Sequence, residues 1–258
     1  MIILANSLRE QKPMISALAE RNNDIEYLEH VKDIWLRDFM PVKTGEGRYV
    51  SFRYEPSYLK DQPELRTDYK RDLEDEVGVE VEYSDINLDG GNVVMSPSKK
   101  TAIISERVFS ENPERERDEL LAELERILAA KVIIIPALKS DMTGHADGMV
   151  RFVDEATVIG NRTPYKNGHE QKIKKELAKH GISVIDFPYF ESSGISAVGT
   201  YLNFLETDDT IFLPIFGHEM DDEAISAAKS IFKKKIVPVR CEDIAKDGGC
   251  LNCISWER

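Results

Sequence analysis

Hydrophobic and polar positions alternate along this chain in two patterns: short β-type runs, and longer stretches in which apolar residues return every three or four positions. The longer stretches predict five helices. The first opens near Pro13 (PMISALAERN), and the second near Pro63, with Leu65, Tyr69, Leu73 and Val77 at four-residue intervals. The third begins at Pro113 behind Asn112 as a candidate N-cap, with Leu120, Leu121, Leu124, Ile127 and Leu128 on one face. The fourth runs over 168–180 and stops at Gly181. The fifth starts at Asp221, with Asp222 and Glu223 in its first turn and the lysines at 233–235 in its last, as the helix dipole favours. The intervening runs DIWLRDFMPV, RYVSFRY, VEVEYS, NVVMS, TAIIS, KVIIIP, MVRFV, TVIG, ISVIDFP, TIFLPIF, KIVPVR and CISW read as strands. The opening MIILANSLRE reads as a first strand, having neither a basic n-region nor a small-residue cleavage site.

The helix starts at 13, 63, 113, 168 and 221 lie 50, 50, 55 and 53 residues apart. Each interval holds one helix and about three strands, and a period of this size marks an array or propeller of supersecondary units. Five units of ββαβ type close into a ring with an axial cavity. Even spacing alone does not separate such a ring from an ordinary α/β sheet in which helices and strands alternate. No Pro/Gly/Ser-rich linker, low-complexity tract or shift in composition interrupts residues 1–258, which therefore read as a single α/β domain.

The distribution of polar residues favours the ring. Each repeat carries one polar cluster downstream of its helix: Trp35-Leu-Arg37-Asp38, Asp89-Gly90-Gly91-Asn92, Gly144-His145-Ala146-Asp147, Tyr201-Leu-Asn203-Phe204, and Gly248-Gly249-Cys250-Leu-Asn252-Cys253. Asp38, Asp89, His145, Asn203 and Cys253 fall 25, 26, 32, 35 and 32 residues after their helix starts. Equivalent offsets in a pseudo-fivefold ring gather five scattered motifs into one pocket. That pocket has a chemical logic. Cys253 supplies a nucleophile that acts as the thiolate, and His145 can take or return a proton. Asp38 and Asp147 can hold a planar cationic fork by paired hydrogen bonds, and Asp89 can orient the imidazole. The glycines at 90–91 and 248–249 let backbone approach closely.

Composition narrows the partners. The formal net charge of −13 disfavours nucleic acid and anionic membranes and favours cationic ligands. No apolar run approaches the roughly 20 residues that span a bilayer. Three cysteines clustered near the C-terminus are not a disulfide framework, so a cytoplasmic location is expected.

WLRDFMPV, LDGGNVV, GHADGMVRFVD, GTYLNFLETDDTIFLPIFG and GGCLNC, taken in this order over nearly the whole chain, resemble the agmatine deiminase and bacterial-type peptidylarginine deiminase family of the guanidine-modifying, or pentein, superfamily. The resemblance implies a five-bladed α/β propeller and hydrolysis of a guanidinium to a ureido group and ammonia, with agmatine the leading substrate. It implies that Cys253 attacks the guanidinium carbon to give a covalent thiouronium. It also implies that His145 protonates the leaving amine and then activates water, and that Asp38 and Asp147 grip the guanidinium nitrogens. Trp35 and Asn203 complete the expected substrate site, and no metal or organic cofactor is implied. Two positions depart from the family pattern: Asn252 stands where a histidine commonly precedes the nucleophile, and Asp89 where glutamate is often found. Deimination of free or peptidyl arginine, amidino transfer to an amine, and a catalytically silent binding pentein stay open as alternatives, as does a homo-oligomer.

The other polar features read as structural. Cys250 and Cys253 form a C-x-x-C that neither opens a helix, as a redox motif would, nor has the second ligand pair of a zinc site. Arg37, Arg151 and Arg162 are expected to pair with nearby acids, and the lysines at 99–100 and 233–235 to be solvated.

Overall fold

The apolar runs pair into five three-stranded sheets in the computed structural model, which describes residues 1–19, 24–162, 168–192 and 196–258. The chain opens with β1 (Ile2–Ala5) and β2 (Ile25–Leu28), parallel neighbours joined through α1 (Lys12–Leu18). After the short helix α2 (Leu36–Phe39), β3 (Val42–Lys43), β4 (Tyr49–Arg53) and β5 (Val81–Asn87) form the second sheet, with α3 (Glu74–Val77) on the β4–β5 crossover. The third contains β6 (Val93–Met95), β7 (Thr101–Ser105) and β8 (Lys131–Ile135), with α4 (Arg107–Glu111) and α5 (Arg117–Leu128) between the last two. The fourth contains β9 (Val150–Asp154), β10 (Thr157–Asn161), α6 (His169–Lys179) and β11 (Ser183–Phe187). The fifth contains β12 (Leu205–Glu206), β13 (Thr210–Ile215), α7 (Asp221–Ile231) and β14 (Lys235–Arg240). The final strand, β15 (Ser255–Glu257), returns to the first sheet and pairs antiparallel with β1, Ile2 opposite Glu257 and Leu4 opposite Ser255.

Every sheet thus repeats one unit. Its first strand is antiparallel to the middle one, and its third is parallel to it behind a helical crossover. This is the ββαβ blade the spacing predicted, and the two chain ends share a blade. The middle strands IILA, TAIIS and TIFLPI are near-continuous apolar runs because both their faces are covered, and Ile2, Ile103, Ile104 and Phe212 are fully buried. Among the described residues no helix is long and apolar enough to cross a membrane.

Four local expectations change. The last helix, α7, ends at Ile231, so the lysines at 233–235 lie beyond its last turn and Lys235 opens β14. DIWLRDFMPV reads as a strand, but Leu36–Phe39 is a helical turn: Leu36, Phe39 and Met40 are buried at i, i+3, i+4 spacing. The stretch after Pro63 is not one helix. It breaks into a 3₁₀ turn at Pro63–Leu65, a wide π turn at Tyr69–Leu73 and then α3, and the wide turn absorbs an apolar stripe set at strict four-residue intervals. Asn112 does not cap α5, which starts at Arg117. Its buried amide instead clamps two elements, donating to Asn87 O (2.9 Å) and Val108 O (2.8 Å) and accepting from Asn87 N (2.9 Å). The end of the segment predicted as the first helix, residues 20–23, lies outside the described residues.

Removing a buried amide that satisfies three backbone groups leaves those groups unpaired. Asn112→Ala should lower unfolding free energy by about 2–3 kcal/mol, read as a shift of the urea midpoint at unchanged slope, while turnover at low temperature stays near the parent value.

Candidate active site

Each link between the last strand of one blade and the first of the next carries part of the polar set. Asp38 lies on α2 between β2 and β3, and Asp89 opens the turn Gly90–Asn92 between β5 and β6. His145 precedes and Asp147 lies within the turn Ala146–Gly148 between β8 and β9. Asn203 precedes β12, and Cys253 precedes β15. The seven residues singled out from the sequence, Trp35, Asp38, Asp89, His145, Asp147, Asn203 and Cys253, are therefore brought together. All but Asp89 line one cavity of about 910 Å³, and Asp89 lies directly behind His145.

The imidazole is held between two carboxylates. Its Nε2 meets Asp89 Oδ2 at 2.7 Å and its Nδ1 lies 3.5 Å from Asp38 Oδ1. Burial works against the imidazolium, but Asp38 and Asp89, with Asp147, outweigh it and raise the His145 pKa to about 10. Burial also lifts the Asp38 carboxyl to about 7, with His145 opposing and the neighbouring carboxylates reinforcing the rise. Cys253 Sγ sits 3.9 Å from Asp147 Oδ2. Burial together with the negative field of Asp147 and Asp38 pushes the thiol well above its ordinary value, although the Asn203 amide partly offsets this. A proton donor, an uncharged nucleophile and carboxylates aimed at the same space are the result.

Two glycines set the fit. A Cβ on Gly91 would stand 2.6 Å from Asp38 Oδ1 and 2.7 Å from His145 Nδ1, so only glycine allows these groups to meet, and Gly91 N donates to Asp38 Oδ1 (3.3 Å). A Cβ on Gly249 would fall 2.4 Å from Trp35 Cζ3 and 3.0 Å from Cys253 Cβ, so the half-buried indole and the cysteine both approach that backbone closely.

Asn203, expected against the substrate, is committed to the nucleophile's loop. Its Oδ1 accepts from the backbone N–H of Cys250 (3.1 Å), Asn252 (3.1 Å) and Cys253 (3.2 Å), and its Nδ2 donates to Cys253 Sγ (3.0 Å). Two further residues escaped the sequence reading. The Tyr58 hydroxyl donates to Asp89 Oδ2 (3.0 Å), the oxygen that also holds His145, and Asn252 Nδ2 donates to Asp147 Oδ2 (2.7 Å). No spacing signal marks Tyr58, whereas Asn252 stood out only as a departure from the family pattern. Cys250 pairs with Cys241, and Cys253 is left as the free thiol. Arg37 pairs with Glu257 (2.6 Å) and Arg162 with Glu223 (2.6 Å), while Arg151 donates to Phe204 O (3.0 Å). Lys99 and Lys234, read as solvated, instead line a second cavity of about 720 Å³ that reaches Asp147 from another side. Among the described residues no group of three or more His, Cys, Asp or Glu is arranged to hold a metal ion.

The model of the Porphyromonas-type peptidyl-arginine deiminase family matches residues 2–258. The chain belongs to that family. It is similar to the agmatine deiminase of Stutzerimonas stutzeri, 27% identical over 277 residues that span 88% of this chain and 74% of that protein. Among solved structures it resembles C. jejuni agmatine deiminase with substrate bound (TM-score 0.75, 17% identity, 100% of this chain and 92% of that one). It also resembles the agmatine deiminase of Enterococcus faecalis (TM-score 0.74, 20% identity, 98% and 81%). The fold is the pentein five-bladed α/β propeller, as these likenesses and the five mixed sheets agree.

Gly91→Ala in this family member should fold, since the added methyl meets side chains rather than backbone, yet lose about 100-fold or more in kcat/KM because Asp38 and His145 must separate. An unchanged circular dichroism spectrum with near-parent turnover would show that the contact is not required.

Proposed function

We propose that this chain is a cysteine-dependent guanidine hydrolase acting on agmatine, an alkyl guanidinium that ends in an amine. The observation that carries the reading is the convergence of Cys253, His145, Asp38 and Asp147 in one cavity. The described lining of that cavity has seven carboxylates, one lysine (Lys139) and no arginine. Such a wall suits a substrate cationic at both ends and offers the α-carboxylate of arginine no guanidinium partner. Relatives named agmatine deiminase support the same choice. The net charge of −13 argues against nucleic acid as a partner, and we place the protein in the cytoplasm.

In the proposed reaction the guanidinium docks between Asp38 and Asp147 and offsets the negative field that, with burial, keeps the Cys253 thiol protonated. The thiol releases its proton to solvent, and the thiolate attacks the guanidinium carbon. The His145 imidazolium passes its proton to the departing nitrogen, and ammonia leaves behind a thiouronium. The imidazole, now neutral, takes a proton from water as the oxygen adds to the same carbon. Collapse then breaks the C–S bond, releases the ureido product and returns the proton to sulfur. Asp89 and Tyr58 hold the ring so that Nδ1 faces the reacting centre.

A colorimetric assay for ureido product with agmatine, free arginine and an arginine-containing peptide tests this directly. Product from agmatine, absent in Cys253→Ala, is the expected result; turnover that survives in that variant would remove the nucleophile assignment. The pH profile follows from the two shifted groups. Substrate binding needs Asp38 ionised, so kcat/KM should climb through about 7; proton donation needs the imidazolium, so it should fall toward about 10. Asp89→Asn removes one carboxylate holding that proton, and its descending limb should move to lower pH. A limb that stays in place would rule out His145 as the titrating acid.

A further inference from the structure

Asp147 lies between two cavities. One contains Cys253, and the other, of about 720 Å³, reaches both Asp147 and Asn252. A carboxylate with water available behind it has no reason to keep an oxygen turned toward a thiol unless a fixed donor holds it there. Asn252 is the donor the structure provides: its Nδ2 lies 2.7 Å from Asp147 Oδ2, the oxygen that is 3.9 Å from Cys253 Sγ. Asn252 is buried and cannot swing away. Its N–H donates to Asn203 Oδ1 (3.1 Å), and its carbonyl accepts from Arg37 Nε (3.2 Å), whose guanidinium is anchored on Glu257 (2.6 Å).

Charge explains why an amide suits the place. The groups around Asp147 are Asp38 on α2, His145 on its own turn, Cys253 beside Asn252, and the buried Arg37 and Arg151, with Asp89 behind the imidazole. A cationic donor would neutralise the carboxylate and compete with a guanidinium, whereas an acid would add to a cluster already rich in negative charge. A neutral amide orients Asp147 without titrating.

Building on the deiminase reading, we propose that Asn252 is a positioning residue: it holds the Asp147 carboxyl turned toward Cys253 with a donor that carries no charge.

The test uses Asn252→Asp, which is isosteric, Asn252→Ala, and Asn252→His, whose Nδ1 can occupy the place of the amide nitrogen. Two readouts are taken across pH: turnover of agmatine, and alkylation of Cys253 by iodoacetamide, with Cys253→Ala as the blank. Asn252→Ala should lose about 10- to 100-fold in kcat with a smaller change in KM. Asn252→Asp should move the alkylation midpoint up by about one pH unit through the added negative charge. Asn252→His should recover most of the loss. Equal alkylation midpoints in parent, Ala and Asp proteins, with only thermal stability changed, would overturn the proposal. The alkylation arm does not depend on turnover. If the parent hydrolyses none of the guanidines the deiminase reading fails, and the midpoint shift still decides the role of Asn252.

Discussion

Three carboxylates and one imidazole are withdrawn from water at the centre of this molecule, and the imbalance of charge among them governs the site. Asp38, Asp89 and Asp147 are all buried; His145 forms ion pairs with Asp38 and Asp89, and the charges of the buried Arg37 and Arg151 act on Asp147. Buried charge without a full set of partners is costly, and the groups respond in the direction that reduces it. Asp38 tends to keep a proton, His145 holds its own far above neutrality, and the Cys253 thiol resists ionisation. Burial is the first cause for Asp38 and Cys253, and the neighbouring carboxylates add a demand for positive charge that also holds the His145 proton. A guanidinium supplies that charge in a planar form two carboxylates can share. On this reading the resting site lacks a cation between Asp38 and Asp147, and its nucleophile becomes effective once that cation arrives.

Such a cluster persists only where the scaffold fixes every member. The propeller does this by assigning each group to a link between blades, so that five separate stretches converge and no single loop has to carry the whole constellation. Each member also has its own support. Asp89 is held by Tyr58, Asp38 by the Gly91 N–H, and the Cys253 loop by three backbone donors to a single Asn203 oxygen. The missing Cβ of Gly91 is as much part of the site as the side chains that use its space.

The parts legible in the sequence were those whose cause is local or periodic. The middle strands announced themselves as unbroken apolar runs because both their faces are covered, and the helix recurring about every 50 residues exposed the blade. Asp38, Asp89, His145, Asn203 and Cys253 could be placed together because each follows the third strand of its blade; their offsets scatter from 25 to 35 only because crossover and link lengths differ. What stayed hidden depends on distant partners. Tyr58 acts on a residue 31 positions away and Asn252 on one 105 positions away, and neither bond leaves a mark on the neighbouring sequence. Asn112 beside Pro113 looks like a cap for the same reason, since its real partners, Asn87 and Val108, come from before it in the chain. Trp35-Leu-Arg37-Asp38 was misread as strand because burial of Leu36, Phe39 and Met40 on one side is a helical pattern too short to stand out.

The position of the nucleophile gives the ring's closure a chemical consequence. Cys253 lies on the link into β15, and β15 exists as a strand only by pairing with β1 at the opposite end of the chain. The seam is reinforced from both sides: Arg37 joins α2 to Glu257, the Trp256 indole N–H donates to Pro41 O (2.8 Å), and Arg37 N donates to Cys253 O (3.0 Å). The residues that carry Asp38 are therefore the ones that hold the Cys253 loop. Thiol and carboxylate thus share the seam at which the last strand docks on the first. For a thiol that must be reactive toward one cation and inert toward much else, tying its placement to completion of the fold keeps the reactive arrangement confined to the native molecule.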